Sequence, residues 1–257
     1  MTGARRCSNC GAELAAGAPD GHCPQCLLQF RFAASEPPGL PSLSINRWTN
    51  SLGQVFVPVP GTEVLFCIWD TRAQDYRAYA QANNGVDGSW ENPGFPQGDD
   101  HPVVNVSWNN AKAFCAWLTQ KDRSEGKISA SQSYRLPQET EWNQAVGNTK
   151  FPWGEAWPPP SGAGNYAQNL GVDNFKYTSP VGSFAANRYG LYDLGGNVWQ
   201  WCENEYLPGS GTHVLRGASW VSYDPGLLLS SCRFGRTPDG RSDVIGFRCV
   251  LVVGSSP

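Results

Sequence analysis

The spacing of apolar residues changes along the chain, and each change predicts an element. Residues 53–70, GQVFVPVPGTEVLFCIWD, are rich in β-branched and aromatic types on either side of Pro60-Gly61, which predicts two short strands and a turn. Ala73, Tyr76, Tyr79 and Ala80 then share one helical face, and Thr71-x-x-Gln74 reads as the capping box that opens this helix. After Ser107 the helical period returns at Ala111, Phe114, Cys115 and Leu118. A third helix is expected from Pro137 in PQETEWNQAV, with proline at the first helical position. Beyond it the periodicity fades into roughly 100 residues of short loops and turns, which is unusual for a compact domain. Such loops need something to order them, and bound metal is a common solution.

Composition divides the chain. Residues 30–46, FRFAASEPPGLPSLSIN, are rich in Pro and Ser and read as a linker. Before it, residues 1–29 carry Cys7-x2-Cys10 and Cys23-x2-Cys26. Two such knuckles aim four thiolates at one point, the tetrahedral shell that suits Zn2+. A segment this short has no core of its own, so metal would supply most of its folding free energy. The expected organisation is a zinc ribbon over 1–29, a linker over 30–46 and one large domain over 47–257. The ribbon leaves no open coordination position, which makes it a structural staple and a place where a protein partner could dock. The other five cysteines, Cys67, Cys115, Cys202, Cys232 and Cys249, are dispersed singly, and read as reduced thiols filling apolar space.

Net charge is −3 and no Lys/Arg run exceeds two residues, which argues against nucleic acid or an anionic membrane as partner. The first residues lack an apolar signal region and no 18-residue apolar run occurs, so the expected setting is soluble and cytoplasmic.

Between Val221 and Arg248 there is no Met, Trp, Gln, Lys or Glu, although motif-like blocks flank the segment: RGASW (216–220) and GFRCV (246–250). Fixed flanks around a permissive stretch describe a binding surface. Those blocks join HPVVNVSWNNAKAFCAWL (101–118), YRLPQETEW (134–142), FPWG (151–154) and SPVGSFAANRYGLYDLGGNVWQWCEN (179–204). Together, and in this order, they closely resemble the formylglycine-generating enzyme / sulfatase-modifying factor family over roughly residues 48–252. The resemblance implies an α+β domain, a loop-rich variant of the C-type lectin fold.

In that family formylglycine is made with O2 and a copper ion held by two cysteine thiolates, the soft donors Cu(I) requires. The matching positions here are Ser222 and Leu227, neither of which replaces a thiolate. Iron-dependent relatives need histidines, and His101 and His213 stand isolated, with no spacing that builds a two-histidine, one-carboxylate site. Calcium fits better. The resemblance places a site on Asn165, the carbonyl of Tyr166, Asp173 and the carbonyl of Phe175, all oxygen donors suited to a hard cation. A second family site would fall on Gly195, Gly196, Val198 and Gln200, where a neutral amide stands in place of the family's glutamate and weakens it.

Two functional readings follow. In the first, the domain is a non-catalytic module that binds a protein or small-molecule ligand through residues 221–248. Some proteins of this fold carry a segment rewritten by a diversity-generating retroelement, whose adenine-directed changes cannot produce the five missing residue types. Trp220 is counted among the ligand-binding residues, and Tyr223, Phe234 and Arg236 have the side-chain types that anchor interfaces. Val221, Ser222, Tyr223, Gly226, Leu227, Cys232, Phe234, Gly235, Arg236, Thr237, Gly240, Ser242, Asp243 and Val244 would form the varied set. Leu228–Ser231, Arg233, Pro238, Asp239, Arg241 and GFRCV would be the fixed frame. In the second reading the chain is a metal-dependent oxidoreductase of the family, or an enzyme using Ser222, Tyr223, Asp224, Cys232 or Arg233. No histidine falls within the segment to activate these groups.

Overall fold

A computed structural model describes residues 47–253. The four ribbon cysteines and the linker lie outside these residues.

The run around Pro60-Gly61 forms the two strands expected of it, β2 (Val55–Pro58) and β3 (Val64–Cys67), after a short β1 (Trp48–Thr49). With β4 (Ser133–Arg135) and β9 (Val250–Val252) they make a five-stranded antiparallel sheet in the order β1-β2-β3-β9-β4. The apolar content is nearly continuous because both faces of this sheet are covered. Phe56, Cys67, Tyr134 and Leu251 enter one core cluster, while Val57, Phe66 and Val250 enter another.

Two helices cover the first face. In α1 (Ala73–Ala82) the residues Ala73, Tyr76 and Tyr79 are buried as the period requires, with Ala80 partly so. The cap lies one residue later than the Thr71–Gln74 reading. Asp75 Oδ2 accepts the Arg72 backbone N–H at 3.0 Å, because the Thr71 N–H is already taken by the Phe247 carbonyl. Helix α2 (Trp108–Ser124) is capped by Ser107, whose Oγ accepts the Asn110 N–H, and buries Ala111, Phe114, Cys115 and Leu118 completely. Phe114 stacks with Tyr76 and meets Phe247 edge-on at 5.4 Å, so truncating it to alanine would cost about 3–5 kcal/mol.

The third helix, α3 (Glu139–Val146), starts two residues after Pro137. The Pro137 carbonyl is claimed by the Glu203 N–H, and Glu141 accepts the Gln138 N–H instead. Trp142 and Ala145 of α3 face the second core cluster with Leu191, Leu194, Cys202 and Val214.

The unperiodic second half contains more regular structure than its sequence pattern suggests. β5 (Trp199–Glu205), β6 (His213–Arg216), β7 (Arg233–Arg236) and β8 (Ile245–Gly246) form a second sheet in the order β7-β6-β5-β8, with β5 and β8 parallel. HVLR and RFGR are short and end in charge, which hides the alternation. The architecture is nonetheless the expected α+β, loop-rich one. No helix among the described residues is long and apolar enough to cross a membrane.

Candidate functional site

Strand β6 delivers the chain into Gly217–Trp220, and β7 carries the middle of the 221–248 segment back alongside β6, pairing Arg216 with Arg233. Trp220 holds the two ends together: its backbone N–H donates to Asn197, and its Nε1 donates to the Asp243 carbonyl at 3.3 Å. Further backbone bonds run from Asn105 to Ser242, Asn109 to Pro238 and Trp199 to Val244. The second arm is thus laid against α2 and β5.

Much of the expected frame lies deeper than the expected varied set, although Ser231 and Asp239 of the frame are exposed. Phe247, Arg248, Cys249 and Leu228 are buried, and Ser230 nearly so. Arg233 makes two 2.8 Å bonds to the Glu139 carboxylate and lies over the Tyr206 ring. Buried Arg216 joins the same carboxylate at 2.9 Å and donates to the Ser230 carbonyl. Arg241 faces Asp87 at 3.7 Å, and Asp239 accepts from Asn109 at 2.7 Å.

Against this frame Val221, Tyr223, Leu227 and Phe234 stand out, four of the seven large hydrophobic side chains exposed among the described residues. Tyr223 is 59% exposed and Phe234 53%. Gly226 and Thr237 are exposed too, while Cys232, Gly235, Arg236, Gly240, Ser242, Asp243 and Val244 are half-buried at the margins. Ser222 differs from the rest of the varied set. It is buried, its Oγ accepts the Ser219 N–H at 3.1 Å, and its carbonyl accepts the Ala167 N–H.

Ser222 Oγ lies beside Ser219 Oγ at 3.4 Å, and burial pushes the Cys232 thiol above its ordinary range, so neither is an activated nucleophile. Each of the two described histidines has its own partner: His101 Nδ1 pairs with Thr178 Oγ1, and His213 stacks on Trp108 at 3.8 Å. Among the described residues no cluster of three or more His, Cys, Asp or Glu could hold a metal ion.

The calcium donors can be examined one by one. Asn165 is buried, and its Oδ1 has no hydrogen-bond partner while its Nδ2 donates to the Tyr177 carbonyl at 2.8 Å. The Tyr166 and Phe175 backbone N–H groups bond to the two oxygens of Asp173 at 3.0 and 2.8 Å. Asp173 thereby draws Tyr166 and Phe175 together beside Asn165, whose orphaned buried amide oxygen fits a hard cation. The second set does not fit. Gln200 Oε1 accepts from Trp142 Nε1 at 3.2 Å and from Arg248 Nε at 2.7 Å, while its Nε2 donates to the Asp193 carbonyl. That oxygen is spent on a guanidinium, which leaves Gly195, Gly196 and Val198 without a charged partner donor.

Sequence reasoning did not find two aromatics that extend the surface. Phe95 and Tyr177 stack at 4.5 Å, and Trp220 meets both edge-on at 5.7 and 5.3 Å. Glu139 was also absent from the reading, since a carboxylate 94 positions from Arg233 leaves no local signal.

Comparisons with known proteins bear on the same residues. The family described as sulfatase-modifying factor enzyme 1-like domain matches residues 49–253. Over 187 residues the chain is 38% identical to the inactive C-alpha-formylglycine-generating enzyme 2 of Bos taurus, covering 65% of this chain and 58% of that protein. It is 31% identical over 195 residues to the formylglycine-generating enzyme of Bos taurus, covering 63% and 48%. The chain therefore spans about half the length of these relatives. Among solved structures, Treponema denticola variable protein 1 shares the fold with a TM-score of 0.62 at 20% identity, covering 82% of this chain and 99% of that one.

Proposed function

We infer that this chain, which belongs to the sulfatase-modifying factor enzyme 1-like family, is a non-catalytic binding module whose ligand contacts residues 221–248. The observation that carries this reading is the separation of exposure within that segment. Val221, Tyr223, Leu227 and Phe234 point to solvent, while Leu228, Ser230 and Ile245 are buried and Arg233 is pinned to Glu139. Tyr223, Phe234 and Arg236 have the side-chain types that anchor protein interfaces. A relative named inactive and a fold neighbour named a variable protein agree with a scaffold used without the oxidase chemistry.

The finer reading is that a retroelement rewrites the exposed positions. The five missing residue types support it, and so does the placement of the varied set, of which Ser222 alone is buried. The experiment is to sequence the locus in independent isolates. The reading expects a reverse transcriptase gene, an imperfect repeat of the 221–248 coding segment and differences confined to adenines. A locus lacking the repeat would overturn the diversification, and differences spread over the buried frame would overturn the binding surface itself.

The remaining assignments belong to the same proposal. Cys7, Cys10, Cys23 and Cys26 hold zinc in a ribbon that docks a protein partner. Asn165, Tyr166, Asp173 and Phe175 hold one calcium, which neutralises Asp173 and orders the loop under Ser222. The five described cysteines are free thiols, as suits a reducing, cytoplasmic compartment.

A further inference from the structure

A second cleft, of about 330 Å3, opens between the Pro152-Trp153 turn and the loops 160–164 and 184–187. None of its lining residues belongs to the 221–248 segment. Trp153, Phe184 and Ala185 are among the residues that line it. Trp153 is held in place, stacking on Phe151 at 4.8 Å, meeting Tyr166 edge-on and donating Nε1 to the Ala156 carbonyl.

Ser161, Asn187 and Asp193 are the polar side chains of the lining, and the charged one is Asp193, 9% exposed and held at φ +53. A non-glycine residue in the left-handed region carries backbone strain, and such strain gathers at ligand sites. Its Oδ2 accepts the Gly182 N–H at 2.8 Å, while Oδ1 makes no hydrogen bond among the described residues. Arg248 donates to the Asp193 main-chain carbonyl and not to the carboxylate. No Lys, Arg or His lines the cleft, and Asp193 is its one acid. Behind Gly195 lies the buried Tyr166 hydroxyl, which has no partner. A Cβ on Gly195 would come to 2.5 Å from that hydroxyl and 2.6 Å from the Pro152 ring, so this close packing requires glycine.

We propose that this cleft binds a small primary ammonium compound with a flat apolar body, its cation on Asp193 and its body between Trp153 and Phe184. A carboxylate with one oxygen outside any hydrogen bond among the described residues matches a monocation, and nearby aromatic side chains favour it further through cation–π attraction. The volume lies at the small end for ligand pockets and suits a single ring.

Titration calorimetry of the 257-residue chain with benzylammonium chloride, and separately with benzyl alcohol, tests the assignment. Benzylammonium is expected to bind with a Kd on the order of 1 mM, the scale for so small a ligand. Benzyl alcohol should bind at least about tenfold more weakly, having lost the charge-assisted bond. Asp193→Asn should weaken benzylammonium by about the same factor. Asparagine tolerates the left-handed region and keeps an acceptor for Gly182, so this variant is expected to fold. Ala185→Trp, which fills the exposed rim, should abolish binding and serves as the independent check. Equal binding of the two probes, undiminished binding by either variant, or no saturable binding of benzylammonium would overturn the proposal.

Discussion

The Ser219 backbone N–H donates to the Oγ of Ser222 at 3.1 Å, turning that hydroxyl inward beneath its exposed neighbours Val221 and Tyr223. The family resemblance aligns this position with one copper-binding cysteine, and here it makes a structural bond. The chain should therefore yield no aldehyde from a cysteine-containing peptide given Cu(I) and O2, as read by mass spectrometry. Restoring both thiolates in a Ser222→Cys/Leu227→Cys variant should raise Cu(I) affinity at least about tenfold in competition with a chromophoric chelator, since soft paired donors select that ion. An aldehyde from the unaltered chain would return it to the oxidases.

The exposed positions should tolerate change. Tyr223→Ser and Phe234→Ser each remove a large side chain that packs little in the folded state, so urea unfolding should shift by no more than about 0.5 kcal/mol. Phe247→Ala, in the buried frame, should cost about 3–5 kcal/mol. Equal costs at the two kinds of position would contradict the division into frame and surface.

Glu139 is the joint of the frame, taking both Arg216 and Arg233. Its removal in Glu139→Ala leaves the Arg216 guanidinium, 2% exposed and with an unpartnered Nε, buried beside Trp142 without a counter-charge. A loss of about 3 kcal/mol is expected in denaturant titrations. A loss under about 1 kcal/mol would mean that water relieves the arginine.

Asp70 sets an unusual pH dependence. It is fully buried with neither oxygen hydrogen-bonded, and desolvation pushes its carboxyl well above the usual range, only partly opposed by Arg248 at 3.4 Å. From about pH 4, where the unfolded chain releases this proton, up to the raised folded value, the native state binds more protons. Its contribution to stability is therefore greatest below that window and declines as pH rises through it. Asp70→Asn keeps the shape without the titration. Its stability should fall less between pH 4 and pH 7 than that of the unaltered chain, measured by urea unfolding at each pH.

Calcium should raise the Tm of the apo protein and lose that effect in Asn165→Ala, since the orphaned Oδ1 is then gone. The expected stoichiometry is one calcium, because Gln200 is committed to Arg248. Elemental analysis should also find one zinc per chain, absent in Cys7→Ser. Two calcium ions per chain, or zinc retained by that variant, would count against these sites.

Much of the fold could be read from the sequence because it rests on local periodicity. The Ala111–Leu118 face and the strands around Pro60-Gly61 are where their spacing puts them. Helix starts were misplaced by one or two residues where distant partners claimed the backbone: Phe247 at Thr71 and Glu203 at Pro137. β6 and β7 were missed because four-residue strands with charged ends carry no alternation. Within the candidate site, the exposed segment was visible from the residue types it lacks. What holds it, Glu139 with Arg233 and Phe95 with Tyr177, depends on contacts between residues 82–94 positions apart, beyond the reach of any local pattern.

The bond from Arg233 to Glu139 also decides how the segment could evolve. It falls near the midpoint of residues 221–248 and turns one long loop into two shorter ones, each closed on the scaffold at both ends. Shorter loops lose less entropy on closing, and a change in one half has no covalent slack through which to disturb the other. New contacts can then be gained on one side of the pin while those on the other persist, so that the surface can be searched in two halves.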